Sequence, residues 1–168
     1  MALEQIFYVC QSIAGLAIVV SLLFVGLEVR HANAESRYRA IEELQQDYRD
    51  LRFQIFANAD SAGVWLRGLH EFAALNAVDR VRFELVVHGF FGTFQSAFLN
   101  YRGGRMTREM YQPQEKNLDD FLAYPGLQSA WSIRKAYFHK EFRALVDAKI
   151  AAIPSSGMVP PYERTGRE

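Results

Sequence analysis

Residues 6–27 read IFYVCQSIAGLAIVVSLLFVGL, an uncharged run of 22 residues. At about 1.5 Å per helical residue, such a run reaches across the roughly 30 Å hydrocarbon layer of a bilayer. Thirteen of its residues are Leu, Ile, Val or Phe. At about −0.3 to −0.6 kcal/mol each near the bilayer centre they favour insertion by roughly 4 to 8 kcal/mol, and Gln11, Ser12 and Ser21 oppose only part of that. A buried core helix is one competing reading, but an uncharged stretch of this length seldom occurs in a soluble domain of this size. A cleaved signal peptide is the other, because Ala32, Asn33 and Ala34 form a small-residue cleavage pattern. Against it, the leader MALEQ carries no Lys or Arg, the run exceeds the usual apolar region of a signal, and Glu28, Arg30 and His31 precede the supposed cleavage point. The sequence therefore predicts a membrane anchor over residues 1–30, with the span at about 6–27.

The flanks set the orientation. No Lys or Arg precedes the span, whereas Arg30, Arg37 and Arg39 follow it, so the positive-inside rule places the N-terminus outside a bacterial inner membrane and the remaining chain in the cytoplasm. These arginines also attract anionic lipid, at about 1 kcal/mol each close to the surface, although Glu35, Glu42 and Glu43 dilute the field. Within the span, Cys10, Ala14, Ala17 and Ser21 recur at steps of four, three and four. Small side chains on one face let a second helix approach closely, which makes a homo-oligomer or another membrane protein the expected partner beside membrane lipid.

Composition narrows the rest. The 19 basic and 19 acidic residues cancel, so a nucleic-acid partner is not expected. Half of the residues are hydrophobic and 23% are charged, ample for a buried core. The single cysteine excludes an intramolecular disulfide and a thiolate metal cluster.

Beyond the span the pattern is helical and no stretch alternates long enough for a strand, so the fold class is all-α: one transmembrane helix followed by a small cytoplasmic helical bundle over residues 33–153. Ala34, Tyr38, Ile41, Leu44, Tyr48, Leu51 and Ile55 step by fours and threes and form the seam of an amphipathic helix. Asn58 or Asp60 caps a short helix through Trp65, Leu66 and Leu69 to about Phe72. Asn76 with Asp79 resembles a capping box opening a helix that reaches about Arg102, where Gly103 and Gly104 stop it. Thr107 caps a helix bent by Pro113, and Tyr124, Pro125 and Gly126 make a turn before a helix through Trp131 to Tyr137. A last helix holds Phe142, Leu145, Val146 and Ile150. Residues 154–168, with three prolines and two glycines, read as a disordered tail.

The helix from Ala77 carries Phe83, Phe90, Phe91, Phe94, Phe98 and Tyr101. Such a stripe normally forms core. Its alternative role is a pocket for a lipid tail or other apolar ligand, with Phe90, Phe94 and Phe98 as walls and His88, Gln95 and Asn100 as orienting polar groups. Residues 85–101 carry no formal charge, so a second membrane pass is considered, but His88, Gln95 and Asn100 cancel its apolar gain. Glu84 and His88 share a helical face and could supply two metal ligands, yet no spacing matches a metal motif. Asp119 and Asp120 point to different sides of a helix. No phosphate loop or nucleophile elbow is present. Neither a cofactor nor a catalytic constellation is expected.

With SLLFVGLEVR at 21–30, Trp65-Leu66-Arg67-Gly68-Leu69, the Tyr124-Pro125-Gly126 turn followed by Trp131, and Glu141-Phe142-Arg143-Ala144-Leu145-Val146, the chain resembles a broad group of short uncharacterised bacterial membrane proteins with one N-terminal span and a small helical domain. The resemblance covers most of the chain to about residue 150 and implies this architecture without an activity. Glu28 stands where that group carries a neutral amide, which blurs the cytoplasmic end of the span. The expected function is a membrane-anchored helical interaction or accessory protein, with a membrane-tethered module for a lipid or other apolar ligand as the alternative.

Overall fold

The computed structural model describes the backbone of residues 2–154 and the side chains of residues 17–154 except 19, 31–34, 37 and 40. The chain is all-helical, with no strand among the described residues. It divides into two compact units, Met1–Arg39 and Ala40–Glu168. The expected tail, from residue 155 onward, lies outside the described residues.

Helix α1 runs from Ala2 to Phe56. The apolar run and the seam beyond it are thus one helix, which no proline interrupts. Among the described residues, no helix is long and apolar enough to cross a membrane. The side chains of residues 6–16, half of the expected span, lie outside the described residues. Of the small-residue stripe, Cys10 and Ala14 are outside them too, while Ala17 and Ser21 are exposed.

The second unit is a helical bundle. Its further elements are α2 (Ala59–Glu71), α3 (Ala77–Arg102), α4 (Arg108–Leu122), α5 (Pro125–Arg134) and α6 (Lys140–Ala151), with single 3-10 turns at Phe72–Ala74 and Lys135–Tyr137. The caps follow the sequence. Asn58 accepts from Ser61 N, Asn76 from Asp79 N and Thr107 from Met110 N, each satisfying an amide left unpaired by the first helical turn. Gly104, at φ 73°, ends the α3 connection in the left-handed region that glycine enters without a steric penalty. Pro125 is not part of a free turn but the first residue of α5. Its fixed φ suits that position and its missing N–H is not needed there.

Helix α3 is the centre of the bundle, burying Phe83, Val87, Phe90, Phe91, Phe94 and Ala97 against its neighbours. The charge-free stretch 85–101 is accordingly a packed core helix. The α1 seam joins the same core through Leu44 and Ile55, with Ile41, Tyr48 and Leu51 half-buried. Tyr38, in the first unit, is 68% exposed. Leu44 and Ile41 meet Ala97, Met106 and Tyr111 around the α3–α4 connection.

Two motifs from distant parts of the chain meet at a backbone crossing. A Cβ on Gly126 would overlap the Gly68 carbonyl oxygen, and one on Gly68 would overlap the Phe83 ring. Only glycines let α5 begin this close to α2. Trp131, further along α5, packs on Phe91 at 4.7 Å and donates from Nε1 to Asp147 at 2.9 Å. Among the described residues the bundle has one carboxylate buried below a tenth exposure: Glu84, whose Oε2 takes Arg134 Nε at 3.0 Å and Nη2 at 2.9 Å.

Candidate functional site

Between the C-terminal part of α1 and helix α4 lies a cleft of about 210 Å³. Tyr48, Arg52, Ile55 and Phe56 come from α1, at spacings that place them along one helical face. Phe90 and Phe94 form its floor from α3, Trp65 and Leu69 enter from α2, and Asn117, Asp120 and Phe121 line it from α4. The walls are mutually packed aromatic rings. Phe121 lies 5.2 Å from Phe90 and 5.3 Å from Phe94, while Trp65 lies 5.6 Å from Phe90. Tyr48 meets Phe94 edge-on at 5.7 Å, the arrangement that ring quadrupoles favour.

The polar features of the cleft gather at one end. A shallower opening of about 280 Å³ is lined by Gln45, Tyr48, Arg49, Arg52, Gln114 and Asn117. Tyr48, Arg52 and Asn117 belong to both spaces. The Tyr48 hydroxyl and Gln114 Oε1 are buried without a hydrogen-bond partner. Leaving a buried hydroxyl unpaired costs about 1–3 kcal/mol, so these two groups mark the junction as polar space that the bundle alone does not satisfy. Burial raises the Tyr48 pKa far above its ordinary value near 10, and the nearby Arg52 charge only partly offsets this. The phenol is therefore a neutral donor across the biological pH range.

The structure separates the residues that the sequence nominated as an apolar-ligand pocket. Phe90 and Phe94 line the cleft. His88 and Gln95 do not: seven residues apart, they share a face that turns about 200° away from Phe90. There the His88 ring packs 4.8 Å from Phe138 with Nδ1 buried and unpartnered, and Gln95 Oε1 accepts from His139 N at 2.6 Å. Phe98 packs on Phe142 at 5.9 Å and Tyr111 at 6.5 Å. Glu84 and His88 share a face, but Glu84 is held by Arg134. Among the described residues no three His, Cys, Asp or Glu side chains gather as metal ligands.

Arg52, Asn117 and Phe121 are among the lining residues that sequence patterning did not single out as a site. One signal was present: Arg52 interrupts the apolar seam between Leu51 and Ile55. Compared with known protein families, with curated proteins and with solved structures, the chain matches none.

Proposed function

We propose that this protein is a membrane-anchored helical interaction or accessory module. The first part of α1 serves as a single-pass anchor in a bacterial inner membrane with its N-terminus outside, and the bundle stands in the cytoplasm. One observation carries the reading. Ile18, Val20, Leu22, Leu23, Phe24, Val25, Leu27 and Val29 are all exposed, and four of them are consecutive, so at about 100° per residue they cover every face of the helix. A partner groove covers one stripe of a helix, whereas lipid covers all of it. The uncharged sequence continues toward the N-terminus to Ile6, and Arg30, Arg37 and Arg39 supply the inner flank.

In this reading the expected partners are membrane lipid and either a second copy of the chain or another membrane protein, and the bundle has no catalytic role. Fractionation tests the location: the intact chain should stay with membranes through an alkaline carbonate wash, and Leu22→Arg with Val25→Arg should release it. Recovery of the unsubstituted chain in the aqueous phase would sink the proposal. Detergent-solubilised protein that runs as a monomer and brings down no partner would remove the interaction role.

The alternative reading, a module binding a lipid or other apolar ligand, is favoured by a different observation, the aromatic cleft at Phe90 and Phe94 with its unpaired Tyr48 hydroxyl.

A further inference from the structure

We infer that the α1–α4 cleft binds a small single-chain amphiphile with one anionic head, an alkyl carboxylate of the fatty-acid class. The inference deepens the ligand-binding reading and does not depend on where α1 resides, because every residue of the site belongs to the unit Ala40–Glu168.

Size limits the occupant first. A space of about 210 Å³ equals roughly seven waters of liquid volume and falls below the roughly 300–1,000 Å³ typical of sites for larger ligands. It suits the end of one alkyl chain, not a two-chain lipid. Chemistry then orders the chain. The floor of Phe90, Phe94, Trp65 and Phe121 is aromatic, so the tail belongs there, and the polar opening beside it receives the head.

The head's charge follows from the mouth. Arg49 and Arg52 line the opening, and neither makes an ion pair among the described residues. One carboxylate does face the cleft, Asp120, but Lys116 Nζ lies 3.9 Å from it and opposes its charge. The mouth is therefore net positive. A guanidinium grips a carboxylate through two parallel hydrogen bonds, and the Tyr48 hydroxyl, a buried donor without an acceptor at the junction of the two spaces, supplies a third. Rotation of the Gln114 amide turns its Nε2 donors toward the same oxygen atoms.

The test titrates decanoate into the full chain held in a non-ionic amphipol, following fluorescence of Trp65, which lines the cleft, with decanol, decylammonium and inorganic phosphate as comparators. Decanoate should saturate below its self-association concentration and decylammonium should not bind. Arg52→Gln should weaken decanoate at least about tenfold, the loss of a charge-assisted hydrogen bond, while changing decanol affinity less than about twofold. Tyr48→Phe should weaken decanoate by about three- to tenfold. Arg52 is exposed, so its substitution leaves the fold intact, which an unchanged thermal midpoint checks, while Tyr48→Phe, which removes a buried unpaired hydroxyl, should not lower the midpoint. Three results overturn the proposal: no saturation by decanoate, equal decanoate affinity in Arg52→Gln, or displacement by phosphate alone, which would make the mouth a simple anion site. Unaltered decanoate binding in Tyr48→Phe would also overturn the hydroxyl's part, leaving that group to an ordered water.

Discussion

Replacing Trp131 by Phe tests whether one buried indole ties α5 to α6 through charge as well as packing. Trp131 is 1% exposed, surrounded by Phe91, Phe138 and Phe142. Its Nε1 donates to Asp147 Oδ1 at 2.9 Å, and Lys135 Nζ reaches the same carboxylate at 3.1 Å. A hydrogen bond to a charged group contributes about 1.5–3 kcal/mol. The Asp147 side chain is 45% exposed, so water replaces much of the lost donor and about 1 kcal/mol is the fitting figure. The smaller ring leaves a cavity and loses buried apolar surface, together about 1–3 kcal/mol. Trp131→Phe should therefore destabilise the bundle by roughly 2–4 kcal/mol at neutral pH.

The pH dependence separates the two contributions. The Trp131 hydrogen bond, assisted by Lys135, holds the Asp147 carboxyl below the usual carboxylate range. A depressed folded-state pKa adds stability that is complete above the unfolded value of about 3.9 and is lost as pH falls through the folded value. Without the indole donor, Asp147 titrates closer to its unfolded value, so this part of the difference disappears in acid. Thermal unfolding of the full chain, read by far-ultraviolet circular dichroism, should show the gap between wild type and variant narrowing by about 1 kcal/mol from pH 7 to below about pH 3, while the packing part persists. Comparing two variants at each pH cancels the remaining carboxylates. An equal gap at both pH values would refute the charge contribution. A total cost below about 1 kcal/mol would refute the packing argument as well.

The two glycines of the α2–α5 crossing should be irreplaceable while a third is not. Gly126→Ala forces backbone apart at the Gly68 carbonyl and should cost about 3 kcal/mol or more, whereas Gly92→Ala meets open space in a helix and should stabilise by about 0.5–1 kcal/mol; similar thermal midpoints for the two variants would contradict the crossing. Asn76→Ala removes the cap on the Asp79 amide and should cost about 1 kcal/mol in the same melts. Phe91, fully buried at the bundle centre, should cost about 3–5 kcal/mol when cut to Ala. Phe53→Ser, at a side chain 74% exposed, should change stability by less than about 0.5 kcal/mol, and a larger loss would mean that this face is covered.

Most helix ends were legible because they depend on local chemistry. Asn58, Asn76 and Thr107 each accept from the amide three residues on, and such a bond needs no knowledge of the remaining chain. Pro125 was misplaced by one step for a related reason: proline marks a turn and a first helical position with the same fixed φ, and only the amides after it distinguish the two.

The cleft shows where periodicity stops informing. A period states which residues of one helix share a face, and it correctly puts Phe90 with Phe94 and His88 with Gln95. It does not say which helix each face meets, so a pocket drawn from the polar and aromatic residues of α3 alone joined two faces that point at different neighbours. The polar groups that do adjoin Phe90 and Phe94 come from α1 and α4, more than twenty residues away on either side. Their one trace in the sequence is an irregularity: a charge, Arg52, on the flank of an otherwise apolar seam. Packing alone gives a bundle no reason to bury a tyrosine hydroxyl without a partner, since that leaves a donor unsatisfied. A local departure from the rules that built the surrounding helices, concentrated where a cavity also opens, is the physical pattern of a site shaped for something other than the bundle's own stability.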